Sequence, residues 1–331
     1  MKHEVIEARP LAERAISILL SLALILSSAA WSLKLLPGVD FAVFWSAANA
    51  DFGDLYRTEI FINPPSALIW ISPLQFVPIE AGFAVWVIAS VVAFAVTSPF
   101  PKWATAAALI SPIAVTGIIV GQMSLLLTAA IFIAVRYRSG FLLGVVLTIK
   151  PQLAFLAPLI FLFRGDWRFV AEMIVGAALS IAVELIVYGP LIWLDWLSAL
   201  PVWRGFLIKY ETLAYAASPA AYAEGFGIPS LPVWVVSAAL AVGVALKWSR
   251  KLDGGPLVAL ILCSSALAAP YSLLYDLVGA APLAVLIAYR RASVSSVPVI
   301  VGLTGYFTPL ALLAGAIFAL FSRTPWHHKS A

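Results

Sequence analysis

The chain has 331 residues, 63% of them apolar or aromatic and only 11% charged, with a mean hydropathy of +1.02. So little polar surface cannot coat a water-soluble fold, which excludes an ordinary globular enzyme. The net charge of +4 comes from 20 Lys and Arg against 16 Asp and Glu with no basic run, so nucleic acid is not an expected partner.

The apolar run 15–36 is long enough to cross a bilayer and too long for a cleaved leader. Further runs follow at 66–77, 79–97, 103–120, 122–135, 139–149, 152–163, 169–188, 231–248, 256–270, 272–289 and 297–321. Several are too short to cross a bilayer core of about 30 Å alone, and read as kinked, tilted or re-entrant pieces. The expected fold is an all-α polytopic integral membrane protein of about nine to twelve helices, in a single domain over 1–331.

Basic residues cluster at Arg9 and Arg14, Arg136 and Arg138, Arg164 and Arg168, Arg250 and Lys251, and Arg290 and Arg291. All five clusters can share the cytoplasmic side. Two loops, about 37–65 and 189–229, then face outward and hold seven of the 16 acids: Asp40, Asp51, Asp54 and Glu59, then Asp195, Glu211 and Glu224. The second loop also carries Trp193, Trp196, Trp203, Tyr210, Tyr215 and Tyr222. Such segments suit helices lying in the interface; an ordinary aromatic belt is the simpler account of single Trp residues.

In the first loop Phe41, Phe44, Trp45 and Ala48 share one face of a helix. Asp40 stands before that helix, either as its cap or as a carboxylate facing a substrate at the water–lipid boundary. Asn63-Pro64-Pro65 makes a rigid entry to the second span. One Cys excludes an internal disulfide and a thiolate metal cluster. The three His, His3, His327 and His328, lie at the chain ends, so acid–base chemistry in the body must use carboxylates.

The ordered set Asp40 with Phe44 and Trp45, Asn63-Pro64-Pro65, Gly121-Gln122 with Ser124-Leu125-Leu126, Gly144 leading to Lys150-Pro151, and Ala269-Pro270-Tyr271 with Tyr275-Asp276 resembles glycosyltransferase family 87. That family comprises polyprenyl-phosphate-mannose-dependent α-mannosyltransferases of the type C superfamily, and the resemblance covers roughly residues 15–290. It implies transfer of a hexosyl group, mannosyl above all, from a polyprenyl-phosphate sugar to a lipid-linked or glycan acceptor. It also implies a site on the outer face of a bacterial inner membrane, among membrane lipids, with Asp40 in the catalytic position.

The residues support the same chemistry independently. Inverting glycosyl transfer needs one base for the acceptor hydroxyl. A lipid phosphate is already a good leaving group, so a single carboxylate suffices with cations around the phosphate. A nucleotide-sugar enzyme would want a soluble binding domain, and no stretch has the length or polarity for one. Asp51 and Asp54 are poorly spaced for a metal, so neither metal nor cofactor is expected.

Lys150 interrupts the apolar run 141–163 and is the leading phosphate candidate, with snorkelling to an interface as its alternative. Arg204 and Lys209 in the second loop are further donor-phosphate candidates, or lipid-headgroup contacts. Trp45, Asn63, Gln122, Tyr275 and Asp276 are candidate substrate-binding residues. Gln122 could instead join two helices, and Asp276 could cap one. Glu172 and Glu184 read as interior hydrogen-bonding groups on different helix faces. Together with Lys150 and the short helices, they keep open a secondary transporter or a flippase-like lipid-binding protein.

Overall fold

The computed structural model describes residues 25–30, 35–50, 55–56, 61–209, 216–290 and 308–321, with a few single positions between them. Arg9, Arg14, Asp51, Asp54, Glu59, Tyr210, Glu211, Tyr215 and Arg291 lie outside the described residues, as do the side chains of Lys209 and Arg290. The regular elements described are helices: α1 Val39–Asn49, α2 Ser66–Ile71, α3 Ile79–Thr97, α4 Lys102–Leu109, α5 Pro112–Val120, α6 Ser124–Arg136, α7 Gly140–Ile149, α8 Ala157–Arg164, α9 Trp167–Tyr188, α10 Leu191–Lys209, α11 Pro219–Gly225, α12 Ser230–Trp248, α13 Gly254–Ala268, α14 Ala281–Arg290 and α15 Thr308–Phe321. Short 3-10 turns at Ser72–Phe76, Pro151–Leu153 and Leu274–Ala280 join them. The chain is thus an all-α polytopic membrane protein.

Among the described residues α3, α9 and α12 are each long and apolar enough to cross a membrane, and α4 with α5 make a pair bent by 61°. The other described apolar helices are shorter, and for several of them the run is short too. Proline sets many of the breaks. Pro112 and Pro219 open α5 and α11 from the first turn, where a missing N–H costs nothing. Pro151 ends α7, because a residue before proline is driven out of the helical region; Lys150 accordingly sits at φ −148° and ψ 79°.

The faces are arranged for lipid. Helix α3 exposes Val85, Ile88, Val92 and Val96 while burying Gly82, Ser90 and Phe94. Lipid exerts no hydrophobic pressure between helices, so close packing must hold them together. The tightest example joins α7 to α9. Gly140 and Gly144 face the carbonyls of Phe169 and Met173, and Gly176 faces that of Phe141, so a methyl at any of the three would overlap backbone.

Three of the basic turns converge at one end. Arg138 pairs with Asp166, Arg164 with Asp253, and Arg250 donates to the Phe163 carbonyl. Glu172 belongs to this end, which corrects its reading as an interior group. Its side chain is 33% exposed, pairs with Arg168 at 3.1 Å and accepts the Gly140 N–H at the start of α7. Glu184 is interior as expected, fully buried and accepting from Ser180 at 3.0 Å. Helix α6 runs from Ser124 to Arg136 at the basic end, and the cluster described next gathers at the Ser124 end.

Candidate active site

Helix α1 begins two residues earlier than its pattern suggests. Its N-cap is Gly38, at φ 71°, and Asp40 is the second helical residue with no capping bond. The capping reading of Asp40 is therefore replaced. Gly38 docks the helix by donating to the Ile119 carbonyl at 2.7 Å. The α5 terminus can come this close because Gly121 has φ +78° and a Cβ there would stand 2.6 Å from Phe41 Cβ. Phe41 and Phe44 are buried beneath, each within ring contact of Trp86.

This docking puts Asp40 against Gln122. Gln122 Nε2 donates to Asp40 Oδ2 at 2.7 Å and to the Tyr275 hydroxyl at 3.1 Å. Its Oε1 accepts from Lys150 Nζ at 3.2 Å and from the Met123 N–H at 3.2 Å. Lys150 is 3% exposed and does not snorkel. Its ammonium pairs with Asp276 Oδ1 at 2.6 Å, donates to Ser124 Oγ at 2.7 Å and lies 4.7 Å from the Tyr275 ring centre. Asp276, 2% exposed, also accepts from Ser124 Oγ at 2.9 Å and from the Leu273 N–H at 3.0 Å. Both readings of Asp276 thus hold together: it caps the turn Leu274–Ala280 and belongs to the cluster.

An ammonium has three N–H groups, and Asp276, Ser124 and Gln122 take all three. Lys150 has none left for a phosphate, and its charge is already compensated. A phosphate on Lys150, its expected part, requires one of these bonds to be exchanged.

The structure brings together Asp40, Gln122, Lys150, Tyr275 and Asp276, whereas Trp45, Asn63 and Arg204 make other contacts. Trp45 is half-buried and gives its indole N–H to the Val77 carbonyl at 2.9 Å, tying α1 to the second span. Asn63 accepts through its backbone from Tyr56 at 3.0 Å, beside the Ile62 carbonyl that takes the Trp196 indole. Arg204 pairs with Glu224 at 2.6 Å on an exposed surface.

Asp40 is only partly exposed, and burial pushes its carboxyl above the usual carboxylate range. The Gln122 hydrogen bond and the Lys150 charge pull it down, while Asp276 pushes it further up. Among the described residues its Oδ1 carries no hydrogen bond. One oxygen of a partly exposed carboxylate is thus fixed by an amide while the other is open to a partner.

Tyr271, which the sequence singles out only within a motif, packs beside Tyr275. The Tyr271 hydroxyl is buried without a hydrogen bond among the described residues, close enough to feel the charges of Asp40 and Asp276. It lies on the strand-like segment where Ala216 bridges Leu273, which binds the second loop to the site. The only signal available was its place in Ala269-Pro270-Tyr271, a motif shared with much ordinary Pro punctuation.

Fold and site together define a polytopic membrane protein with a buried polar cluster at one end of its helices. The family model for glycosyltransferase family 87 matches residues 61–274, nearly two thirds of the chain. The chain belongs to glycosyltransferase family 87 and is a membrane glycosyltransferase. Membership decides against the transporter and flippase-like readings. The match opens after Asp40 and closes just before Tyr275 and Asp276. No curated protein and no solved structure matches the chain.

Proposed function

We propose that the protein moves a hexosyl group, mannosyl by family resemblance, from a polyprenyl-phosphate sugar to a lipid-linked or glycan acceptor, with inversion. Asp40 is the general base. It takes the proton of the acceptor hydroxyl as that oxygen attacks the anomeric carbon. The anomeric C–O bond breaks, and its electron pair leaves with the polyprenyl phosphate. The observation that carries this reading is the 2.7 Å bond from Gln122 to one oxygen of Asp40, which leaves the other to face an acceptor.

In this reading the cluster faces the outside of a bacterial inner membrane, opposite the end where Arg138, Arg164 and Arg250 gather. Loops 37–65 and 189–229 are then extracytoplasmic. Tyr275 and Tyr271 present phenols toward the sugar or acceptor, with Asp276 behind them. Arg204 on α10 serves the donor phosphate, and Lys209 keeps the same part from the sequence alone. The exposed pair Arg204–Glu224 exchanges partners cheaply, because such surface pairs contribute little. Trp45 and Asn63 line the approach.

The test is purified full-length protein with a panel of polyprenyl-phosphate sugars and a lipid acceptor extract, scored for sugar transfer. Transfer from one member, abolished in Asp40→Asn, supports the reading. Transfer from nucleotide sugars alone rejects it.

A further inference from the structure

The orientation of a glutamine amide is a matter of its neighbours, since its oxygen and nitrogen are alike in shape. At Gln122 the neighbours decide it. Oε1 faces two groups that can only donate, the Lys150 ammonium and the Met123 N–H, both at 3.2 Å. Nε2 faces the Asp40 carboxylate at 2.7 Å and the Tyr275 hydroxyl at 3.1 Å. A flipped amide would set donor against donor on one side and oxygen against carboxylate on the other.

Lys150 is itself held from behind. Asp276 Oδ1 at 2.6 Å and Ser124 Oγ at 2.7 Å fix its ammonium. Asp276 Oδ2 is fixed in turn by the Leu273 N–H at 3.0 Å. An unbroken line of bonds therefore runs from the backbone at Leu273 through Asp276, Lys150 and Gln122 to Asp40. A buried ion pair is weak evidence for stability, since desolvation offsets much of its attraction. Its persistence here points to a task other than holding the fold.

We propose that the buried Lys150–Asp276 pair is a positioning device that locks the Gln122 amide with its NH2 toward Asp40, so that Asp40 is held as an oriented, ionised base. Lys150 and Asp276 act through Gln122 and do not touch the reacting atoms. This rests on the reading of Asp40 as the base.

The test is the double variant Lys150→Met with Asp276→Asn, which removes both charges at similar volume and leaves no lone buried ion. It is assayed in the full-length protein with the polyprenyl-phosphate sugar active in the panel. Among the described residues, the charged and titratable groups around Asp40 are Lys150, Asp276, Tyr275 and Tyr271. The double variant should melt near the parent yet turn over at least about tenfold more slowly, with donor KM little changed, because a misaligned base loses kcat and not binding. Its acid limb should move to higher pH, since losing the Gln122 donor disfavours the carboxylate.

Gln122→Met, which leaves the pair in place, should show the same loss of kcat and the same limb shift. It serves if the double variant does not accumulate. Parental kcat and pH profile in either folded variant overturn the positioning role. Asp40→Asn run in parallel separates the two ideas. Full turnover there removes the base and the positioning role together. An inactive Asp40→Asn beside fully active pair variants removes the positioning role alone.

Discussion

Gln122 and Asp40 lie 82 residues apart in the chain, yet Gln122 Nε2 donates to Asp40 Oδ2 at 2.7 Å. The contact depends on Gly38 and Gly121, which let the start of α1 dock on the end of α5. It joins a carboxylate at the edge of the fold to an ion pair in its interior. The predictions below follow from that junction.

Asp40→Asn should insert and fold as the parent does, because Asp40 makes no capping bond that Asn would lose. It should transfer sugar at no more than about a hundredth of the parental rate, the usual range for loss of a general base being 10²–10⁴. That corresponds to roughly 3–5 kcal/mol in the barrier. Single-turnover transfer with preloaded donor measures it directly.

The pH profile has a definite sign. Burial raises the Asp40 carboxyl above its usual range, so it takes up a proton at a higher pH than a free carboxylate would. Activity should therefore fall on the acid side while most exposed carboxylates, near about pH 4, are still ionised. A kcat profile whose acid limb lies at or below that value would contradict the burial argument.

Single removal of either buried charge should cost more stability than removal of both. Lys150→Ala strands the Asp276 carboxylate, and Asp276→Ala strands the ammonium, in surroundings only 2–3% exposed. Breaking such a pair on one side costs about 3–5 kcal/mol, whereas neutral replacement of both is often tolerated. Thermal unfolding in detergent should rank the single variants well below the Lys150→Met with Asp276→Asn double variant.

Tyr271→Phe removes a buried hydroxyl that has no hydrogen bond among the described residues. An unsatisfied buried polar group is a liability of about 1–3 kcal/mol, so the variant should melt no lower than the parent. If the phenol is kept for substrate, KM for donor or acceptor should rise about tenfold, the worth of one hydrogen bond. An unchanged KM for both substrates would make Tyr271 a packing residue.

Much of the architecture was legible in composition and run length. The three long helices Ile79–Thr97, Trp167–Tyr188 and Ser230–Trp248 coincide with long apolar runs, because a bilayer demands uninterrupted internally bonded backbone. Pro64-Pro65 and Lys150-Pro151 marked real breaks, because proline acts on its own neighbours through bonded geometry. Asp40, Gln122, Lys150, Tyr275 and Asp276 could be singled out one by one, because polar groups in an apolar chain are costly and conspicuous.

What each does was not legible. Lys150 reads as a free cation until Asp276, 126 positions later by number, is seen 2.6 Å away. Asp40 reads either as a cap or as a carboxylate facing a substrate until Gly38 is found in the capping position. Glu172 and Glu184 look alike in the chain, yet one meets Arg168 at the basic end and the other is sealed in the interior. Periodicity and hydropathy report the local backbone and the burial of a face. The partner of a charged side chain depends on which helices meet and at what depth, and only the tertiary structure decides that.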